Sequence, residues 1–216
     1  MVAVKRGRCN WLKPPGPVGP GLRIGLLGGS FNPAHDGHRH VSEVALKRLG
    51  LDYVWWLVTP QNPLKGRAGL APLADRLKQA ASIARHPRIV VMDIERALGT
   101  RYSIDTLKCL QRRFPLVAFV WLMGSDNLKI FRRWRRWPEL MARVPIAVVQ
   151  RPGTILAPLF AMPMQRFVQA RVGSGRKLPP PPAIFILDGR RNTQSSTALR
   201  ARALDSEALV RAIPPC

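Results

Sequence analysis

Short apolar runs that end in turn residues alternate along this chain with segments of helical periodicity. The runs are continuously apolar instead of alternating with polar residues, which is typical of strands buried on both faces of a sheet. Strands are predicted at 22–29, 52–60, 88–95, 115–124, 144–153 and 182–189. Helices are predicted at His38–Leu49, Pro72–Arg85, Ser103–Arg113, Pro138–Arg143 and Thr197–Leu204.

This alternation predicts an α/β fold. Strand–helix–strand units cross over in a right-handed sense, which gives a mainly parallel, doubly wound sheet with helices on both faces. Such sheets bind ligands outside the carboxyl ends of their strands, near the point where the strand order reverses. We find no internal repeat, and residues 172–182 read as a loop, so a single domain over 21–216 is the simplest organisation.

The first twenty residues differ from the rest of the chain. Pro14, Pro15, Pro17 and Pro20 stand there among several basic residues, which predicts a flexible, basic, proline-rich extension over 1–20. This stretch lacks the continuous apolar segment of a secretory signal, and no apolar run in the chain approaches the ~20 residues that span a bilayer. We therefore expect a soluble protein with no membrane partner.

Composition adds a strong positive charge. The 216 residues include 35 Lys and Arg against 12 Asp and Glu, a formal net charge of +23. Such an excess favours polyanionic or phosphate-rich partners, although a solvated arginine-rich surface would give the same number. The 3 cysteines are far apart and form no C-x-x-C pair, so we expect no disulfide framework or thiolate zinc site and a cytoplasmic location.

The stretch "LLGGSFNPAHDGHRH" at 26–40 carries three of the 4 histidines in the chain. It follows a predicted strand and leads into a predicted helix, whose unpaired N–H groups and dipole favour an anion. His35 and His38 lie near that helix start, and an imidazole can donate a hydrogen bond to a phosphate oxygen. A metal site is the alternative, but only Asp36 and Glu43 stand nearby to complete one.

A second possible anion site is "QSSTALRAR" at 194–202, which follows the last predicted strand and opens the last predicted helix. Ser196 and Thr197 offer hydroxyl donors at its start, with Arg200 one turn along the same face. Such a sequence is more often an ordinary helix cap. Together with the histidine pair, it predicts a phosphate clamp built from two helix starts.

These motifs resemble those of the H-x-G-H nucleotidyltransferase superfamily, which implies a Rossmann-like fold. Between about Gly25 and Arg202 the chain is similar to the bacterial nicotinate-nucleotide adenylyltransferases. The resemblance is carried by "GGSFNPAHDGH" (28–38), "TPQNPLK" (59–65), "TRYSIDTL" (100–107), "GSDN" (124–127), "FRRWRRW" (131–137), "QRPG" (150–153) and "SSTALR" (195–200). The H-x-G-H motif is weak evidence by itself, whereas the ordered set is specific.

The resemblance implies the residues of an ATP site. Those implied to act in catalysis, by gripping the phosphates, are His35, His38 and Arg200. The implied ATP-binding positions are Gly28, Gly29, Ser30, Phe31, Lys65, Gly124, Asp126, Ser196, Thr197 and Arg200.

It also implies a nicotinate-mononucleotide pocket formed by Asn32, Thr100, Tyr102, Trp134 and Arg135. Trp134 would stack on the pyridine ring, and N–H groups near Tyr102 and Arg135 would receive its carboxylate. From the residues alone, Trp134 and Trp137 at i and i+3 could equally be packing against the core.

Two positions depart from the family pattern. Gln194 replaces an apolar residue before the S-S-T segment, and Arg135 replaces the aromatic residue that often follows the pocket tryptophan. Arg135 could either meet a substrate carboxylate or point outward.

The implied reaction is ATP plus nicotinate mononucleotide giving nicotinate adenine dinucleotide and pyrophosphate, as in NAD biosynthesis. Mg²⁺ is expected as cofactor, held mainly by substrate phosphates and water instead of a protein metal site. The expected partners are these two substrates, with no nucleic acid, and the expected assembly is a monomer or homodimer. The alternatives are another enzyme of the superfamily, such as a pantetheine-phosphate adenylyltransferase or a cytidylyltransferase, and a basic nucleic-acid-binding module.

Overall fold

The structure, a computed structural model, describes residues 16–61, 69–150, 169, 171–172 and 178–188. Its strands are β1 (Arg23–Gly29), β2 (Tyr53–Val58), β3 (Ile89–Met92), β4 (Ala118–Gly124), β5 (Ile146–Val149), β6 (Arg171–Val172) and β7 (Ile184–Leu187). Its helices are α1 (Asp36–Leu49), α2 (Leu73–Ile83), α3 (Ile94–Leu98), α4 (Ser103–Arg113), α5 (Leu128–Phe131) and α6 (Trp137–Arg143), with a 3₁₀ turn at Ser125–Asn127 before α5.

These strands form one sheet in the order β3-β2-β1-β4-β5-β7-β6, and every pairing between neighbours is parallel. The chain moves outward from β1 through β2 to β3, then returns to place β4 on the other side of β1. The strand order therefore reverses between β1 and β4, where an open α/β sheet binds its ligands. The predicted doubly wound, Rossmann-like architecture is confirmed.

The core lies on both faces of the sheet because side chains along a strand alternate in direction. Trp55 packs on the face covered by α4 and α6, whereas its neighbour Trp56 packs on the face covered by α1 and α2. Both indoles are fully buried. Burial on two faces explains why the strands appear in the sequence as unbroken apolar runs.

Four of the predicted helices are confirmed within a residue or two of their ends. The predicted helix at Thr197–Leu204 lies outside the described residues. The predicted strand at 88–95 was too long, because β3 ends at Met92 and α3 begins at Ile94. Gly99 closes this short helix with a φ of 62°, a left-handed conformation that suits glycine.

The described residues begin at Gly16, and Val18 and Leu22 pack against the core cluster beneath the amino-terminal ends of the strands. The N–H of Gly21 donates to the carbonyl of Leu116 at 2.9 Å. Residues 1–15 lie outside the described part, so the flexible extension and its boundary stay predictions. Among the described helices, none has both the length and the apolar character needed to cross a membrane.

Candidate active site

The carboxyl end of β1 packs closely against its surroundings at Gly28. A Cβ atom on Gly28 would lie 3.1 Å from the indole ring of Trp121 on β4, so glycine allows strand and ring to pack together. Beyond it, the carbonyl of Gly29 accepts a 2.9 Å hydrogen bond from the N–H of Thr59, which joins the ends of β1 and β2. Gly28, Gly29 and Thr59 all line one cavity.

The two histidines cap helix α1 together. His35 is the N-cap residue, 3% exposed, and its Nδ1 accepts from the N–H of Gly37 at 3.0 Å. In return, the N–H of His35 donates to Nδ1 of His38 at 3.3 Å. A ring nitrogen that accepts a hydrogen bond carries no proton, so both rings are assigned their proton on Nε2. Each imidazole can therefore act as an Nε2–H donor, and their centroids lie 3.9 Å apart.

Phe31 lies between these histidines and the core. Its side chain is 1% exposed, stacked on Trp56 at 5.1 Å and in contact with the His38 ring at 4.5 Å. Its φ is 47°, a left-handed conformation that is uncommon outside glycine and concentrates at functional sites. Because the ring is buried, Phe31 can offer a nucleotide its backbone instead.

Asn32 was expected in the pyridine pocket, and the structure places its amide elsewhere. Its Nδ2 donates to the carbonyl of Gly69 at 2.7 Å, and its Oδ1 accepts from the N–H of Ala71 at 3.2 Å. Asn32 is not among the described residues that line the cavity. It ties the loop after β1 to the segment that precedes α2.

The cavity has a volume of about 200 Å³ and joins the end of β1 to the start of α4. Its described lining is Gly28, Gly29, Thr59, Glu95, Arg101, Tyr102, Ser103, Arg133, Trp134, Arg135 and Leu140. Glycines expected at the nucleotide and side chains expected at the pyridine ring thus share one space.

The two tryptophans of "FRRWRRW" have different surroundings. Trp137 is 8% exposed and belongs to the core cluster. Trp134 is half-buried, packs edge-on against Trp121 at 6.0 Å and Phe131 at 5.2 Å, and also lines the cavity. Core packing therefore accounts for Trp137, while Trp134 has an aromatic support and a cavity contact together.

Tyr102 lies at the start of α4 beside two arginines. The guanidinium of Arg135 lies 4.7 Å from the centre of the Tyr102 ring, and that of Arg101 lies 5.9 Å from it. Arg135 therefore lines the cavity instead of pointing away from it. Tyr102 is also the N-cap of α4 and makes no side-chain capping bond, so the first N–H groups of this helix and its dipole favour an anion here.

Thr100 does not line the cavity, and its hydroxyl is 2.8 Å from that of Thr106 on α4. The hydroxyl of Thr106 in turn donates to Oε1 of Glu95 at 3.5 Å. Thr100 is therefore connected to the cavity through Glu95, which lines it.

Glu95 was not predicted as a site residue. It is 5% exposed, and burial raises the pKa of its carboxyl to about 7, while the hydrogen bond from Thr106 acts in the opposite direction. The apolar run predicted Glu95 at the end of a strand, whereas the residue lies in α3 and lines the cavity. The available signal was a second carboxylate, two residues after Asp93, in the mostly apolar and basic stretch "VVMDIERALGTR".

Gly124 is the last residue of β4, and Asp126 lies in the turn that follows it. The β1–β4 register pairs Leu27 with Leu122, so Gly124 lies beside the end of β1. Asp126 is exposed in the 3₁₀ turn that Gly124 begins. Both lie at the carboxyl edge of the sheet, near the reversal of strand order.

Several predicted phosphate contacts lie outside the described residues. These are Lys65, Ser196, Thr197 and Arg200. The predicted clamp between two helix starts therefore stays a prediction on its second side, whereas its first side is the α1 start described above. Among the described residues, no group of three His, Cys, Asp or Glu side chains could hold a metal ion.

Comparison with known proteins covers most of the chain. Residues 26–202 match the family model for cytidylyltransferase-like proteins. A probable nicotinate-nucleotide adenylyltransferase of Parvibaculum lavamentivorans is 53% identical over 187 residues, which cover 85% of this chain and 93% of that protein. A probable nicotinate-nucleotide adenylyltransferase of Methylorubrum extorquens is 51% identical over 185 residues, covering 84% of this chain and 100% of that protein.

The fold is also similar to solved structures. Nicotinic acid mononucleotide adenylyltransferase of Plasmodium falciparum, complexed with NaAD, superposes with a TM-score of 0.65 and 17% identity over 83% of each chain. The same enzyme complexed with APC gives a TM-score of 0.62. At this identity the likeness concerns the fold. Family and sequence relatives carry the assignment further: the chain belongs to the cytidylyltransferase-like family and, within it, to the nicotinate-nucleotide adenylyltransferases.

Proposed function

We propose that this protein transfers the adenylyl group of ATP to nicotinate mononucleotide, releasing pyrophosphate and forming nicotinate adenine dinucleotide for NAD biosynthesis. The observation that carries the proposal is the shared cavity, which runs from the glycines ending β1 to Trp134 and the start of α4. A dinucleotide product needs such a space, because its two halves must meet at the reacting phosphorus. The family assignment supports the same reaction.

The chemistry needs positioning more than proton transfer. A phosphate oxygen of nicotinate mononucleotide attacks the α-phosphorus of ATP and forms a new P–O bond, while the bond to the bridging oxygen of pyrophosphate breaks. The attacking phosphate is anionic at neutral pH, so no general base is required. Fixed hydrogen-bond donors and cations bring the two anions together and stabilise the charge that develops on pyrophosphate.

The proposed donors on the phosphate side are His35 and His38. Their Nδ1 atoms are occupied by the capping bonds, which leaves Nε2–H as the donor on each ring. Gly28, Gly29, Ser30 and the Phe31 backbone would approach the nucleotide. Residues proposed to complete this side are Lys65, Gly124, Asp126, Ser196, Thr197 and Arg200.

The pyridine ring would bind at the other end of the cavity. Trp134 is proposed to stack on the ring, since T-shaped contacts with Trp121 and Phe131 already support its indole. The carboxylate would meet the first N–H groups of α4 near Tyr102, with Arg135 adding positive charge. Thr100 and Asn32 are proposed to support this site through the segments they tie down.

Mg²⁺ is proposed to enter with ATP and to neutralise charge on its phosphates. The residues proposed at the phosphates fit this arrangement, because the His35 and His38 rings would offer N–H donors to phosphate oxygens instead of ligands to the ion. Phosphate oxygens and water would supply most ligands of the ion, as Mg²⁺ commonly prefers. We place the reaction in the cytoplasm, with the protein as a monomer or homodimer and without a nucleic-acid partner.

A pyrophosphate-release assay tests the proposal directly. The purified protein is given MgATP with nicotinate mononucleotide, nicotinamide mononucleotide or phosphopantetheine in turn, and CTP replaces ATP in a parallel series. We expect fastest release with ATP and nicotinate mononucleotide. Faster release with phosphopantetheine, or with CTP in place of ATP, would assign another reaction of the family. Binding of RNA without turnover would contradict an enzymatic role.

A further inference from the structure

Arg76 on α2 is a buried arginine near the candidate phosphate site. Its side chain is 2% exposed, and its guanidinium donates four hydrogen bonds to backbone carbonyls. The bonds join Nε to Ala71 O at 2.9 Å, Nη1 to Ser30 O at 2.7 Å and to Thr59 O at 2.8 Å, and Nη2 to Pro60 O at 3.0 Å.

These carbonyls belong to three segments that meet at the carboxyl edge of the sheet. Ser30 follows β1, Thr59 and Pro60 follow β2, and Ala71 precedes α2. A guanidinium is planar and presents its donors in a rigid fork, so the four bonds fix the spacing between these segments. The loop after β1 is the one that leads to His35 and His38.

The bond to Ser30 also fixes the direction of the next peptide group. In a trans peptide the C=O and the following N–H point in opposite directions. Because the carbonyl of Ser30 points at Arg76, the N–H of Phe31 points away from it. In the proposed nucleotide-binding loop, the carbonyl of Ser30 therefore faces Arg76, and the N–H of Phe31 faces the opposite side.

The charge of Arg76 lacks a counter-charge within the described part of the chain. No ion pair with an Asp or Glu is formed there, and four carbonyl dipoles supply its hydrogen bonds. Burial lowers the pKa of Arg76, yet an arginine stays protonated in proteins. A buried, unpaired charge is costly unless another charge compensates for it. A triphosphate on the loop after β1 would do so.

We infer that Arg76 is a positioning residue for ATP binding: it fixes the ends of β1 and β2 around the phosphates and places a buried positive charge behind them. The inference rests on the proposed function, which puts the ATP phosphates on the loop after β1. Arg76 acts through backbone groups and through its charge. Replacing Arg76 should therefore weaken the binding of ATP more than the binding of nicotinate mononucleotide.

The test compares three variants. Arg76→Met removes the charge and the fork, and Arg76→Lys keeps the charge but cannot reach four carbonyls. Lys78→Met is the matched control, because it removes an equal charge from the exposed side of the same helix. For each protein, circular dichroism reports folding, calorimetry gives the ATP dissociation constant without the second substrate, and steady-state kinetics give both KM values and kcat.

We expect Arg76→Met to weaken ATP binding by about tenfold or more, as for the loss of hydrogen bonds from a charged group. Arg76→Lys should weaken it by more than about twofold but less than Arg76→Met does, because lysine keeps the charge and loses the planar fork. The KM for nicotinate mononucleotide should change less than twofold in both, and Lys78→Met should behave as wild type. These results separate positioning from a purely structural role, which would lower stability and leave ATP affinity unchanged in the folded protein.

A folded Arg76→Lys protein that binds ATP within twofold of wild type would overturn the inference, including where Arg76→Met does not fold. An equal rise in both KM values would overturn it too. If wild type binds ATP in an Arg76-dependent way but releases no pyrophosphate with nicotinate mononucleotide, the proposed reaction is wrong and the role of Arg76 stands.

Discussion

The two ends of the proposed substrate site are built differently. At the end proposed for the phosphates (the phosphate end), His35, Phe31 and Arg76 are almost fully buried and held by backbone hydrogen bonds or ring stacking. At the end proposed for the pyridine ring (the pyridine end), Trp134 is half-buried and Arg135 is exposed, and their described contacts are mostly between side chains. The phosphate end is therefore the more rigid of the two.

The difference corresponds to two chemical tasks. Charge that develops on phosphate is best stabilised by donors that are already in place, since they need not reorganise during the reaction. Selecting one small ring over another depends on a few side chains, which can differ between relatives without disturbing the backbone. The departure at Arg135 falls at this second end. The following predictions test the contrast, starting with the largest effect.

At the phosphate end, losing the His38 donor should reduce kcat by about 10²–10³. His38→Asn is the informative change, because an asparagine oxygen can replace Nδ1 in the capping bond but cannot place an N–H where Nε2 was. We expect the melting temperature to stay near that of wild type and pyrophosphate release to fall. His38→Gln, which can reach the Nε2 position, should recover part of the rate. Near-normal turnover of His38→Asn would contradict the phosphate role.

At the pyridine end, Glu95 should make stability depend on pH. Its pKa is about 7 in the folded protein against an ordinary 4.5, so the folded state holds a proton that the unfolded state has lost. Glu95 therefore adds stability below pH 4.5, and this is lost as pH rises through 7, a difference of about 3 kcal/mol. Urea unfolding at pH 5 and pH 8 measures it.

The matched variants for this measurement are Glu95→Gln and Glu139→Gln. Glu95→Gln should remove the part of this pH dependence that Glu95 contributes. The hydrogen bond from Lys108 lowers the pKa of Glu139. The stability that the ionised Glu139 carboxylate contributes is therefore lost only as pH falls below the range of pH 5 to pH 8. Glu139→Gln should therefore keep the wild-type difference between pH 5 and pH 8. Equal pH dependence in wild type and Glu95→Gln would contradict the raised pKa.

Removing the indole of Trp134 should weaken the binding of nicotinate mononucleotide selectively. Stacking of a planar base on an aromatic side chain contributes about 1–3 kcal/mol, which corresponds to a rise of about fivefold to 150-fold in KM for Trp134→Ala. The KM for ATP should stay within twofold. Trp134→Phe keeps an aromatic face, so its KM for nicotinate mononucleotide should lie between those of wild type and Trp134→Ala. An equal loss for both substrates would indicate that Trp134 supports the fold and not the ring.

The smallest effect is expected at Arg135, which is exposed and screened by solvent. Replacing it with methionine should raise the KM for nicotinate mononucleotide about twofold to fivefold, in keeping with an exposed charge pair. The rise should shrink at high salt, and nicotinamide mononucleotide, which has no carboxylate on its ring, should be unaffected. An identical change with both mononucleotides would exclude the substrate carboxylate as the partner of Arg135.

Much of this protein was determined by local sequence. The order of strands and helices could be predicted because strands buried on both faces require unbroken apolar runs and amphipathic helices require a 3.6-residue period. The start of α1 was visible in the same way, since the glycines ending β1 and the H-x-G-H segment are contiguous. The family resemblance implied Gly28, Gly29, Tyr102 and Trp134 as site residues, and the fold brings them to one cavity.

Only the tertiary structure decided which side chains those elements bury and connect. Arg76 reaches carbonyls 46 and 17 residues away, and Asn32 reaches backbone groups 37 and 39 residues away. Glu95 owes its raised pKa to the packing around it, and Trp134 and Trp137 differ in what covers them. Periodicity reports the local conformation of the chain, whereas burial and long-range hydrogen bonds arise when separate segments meet.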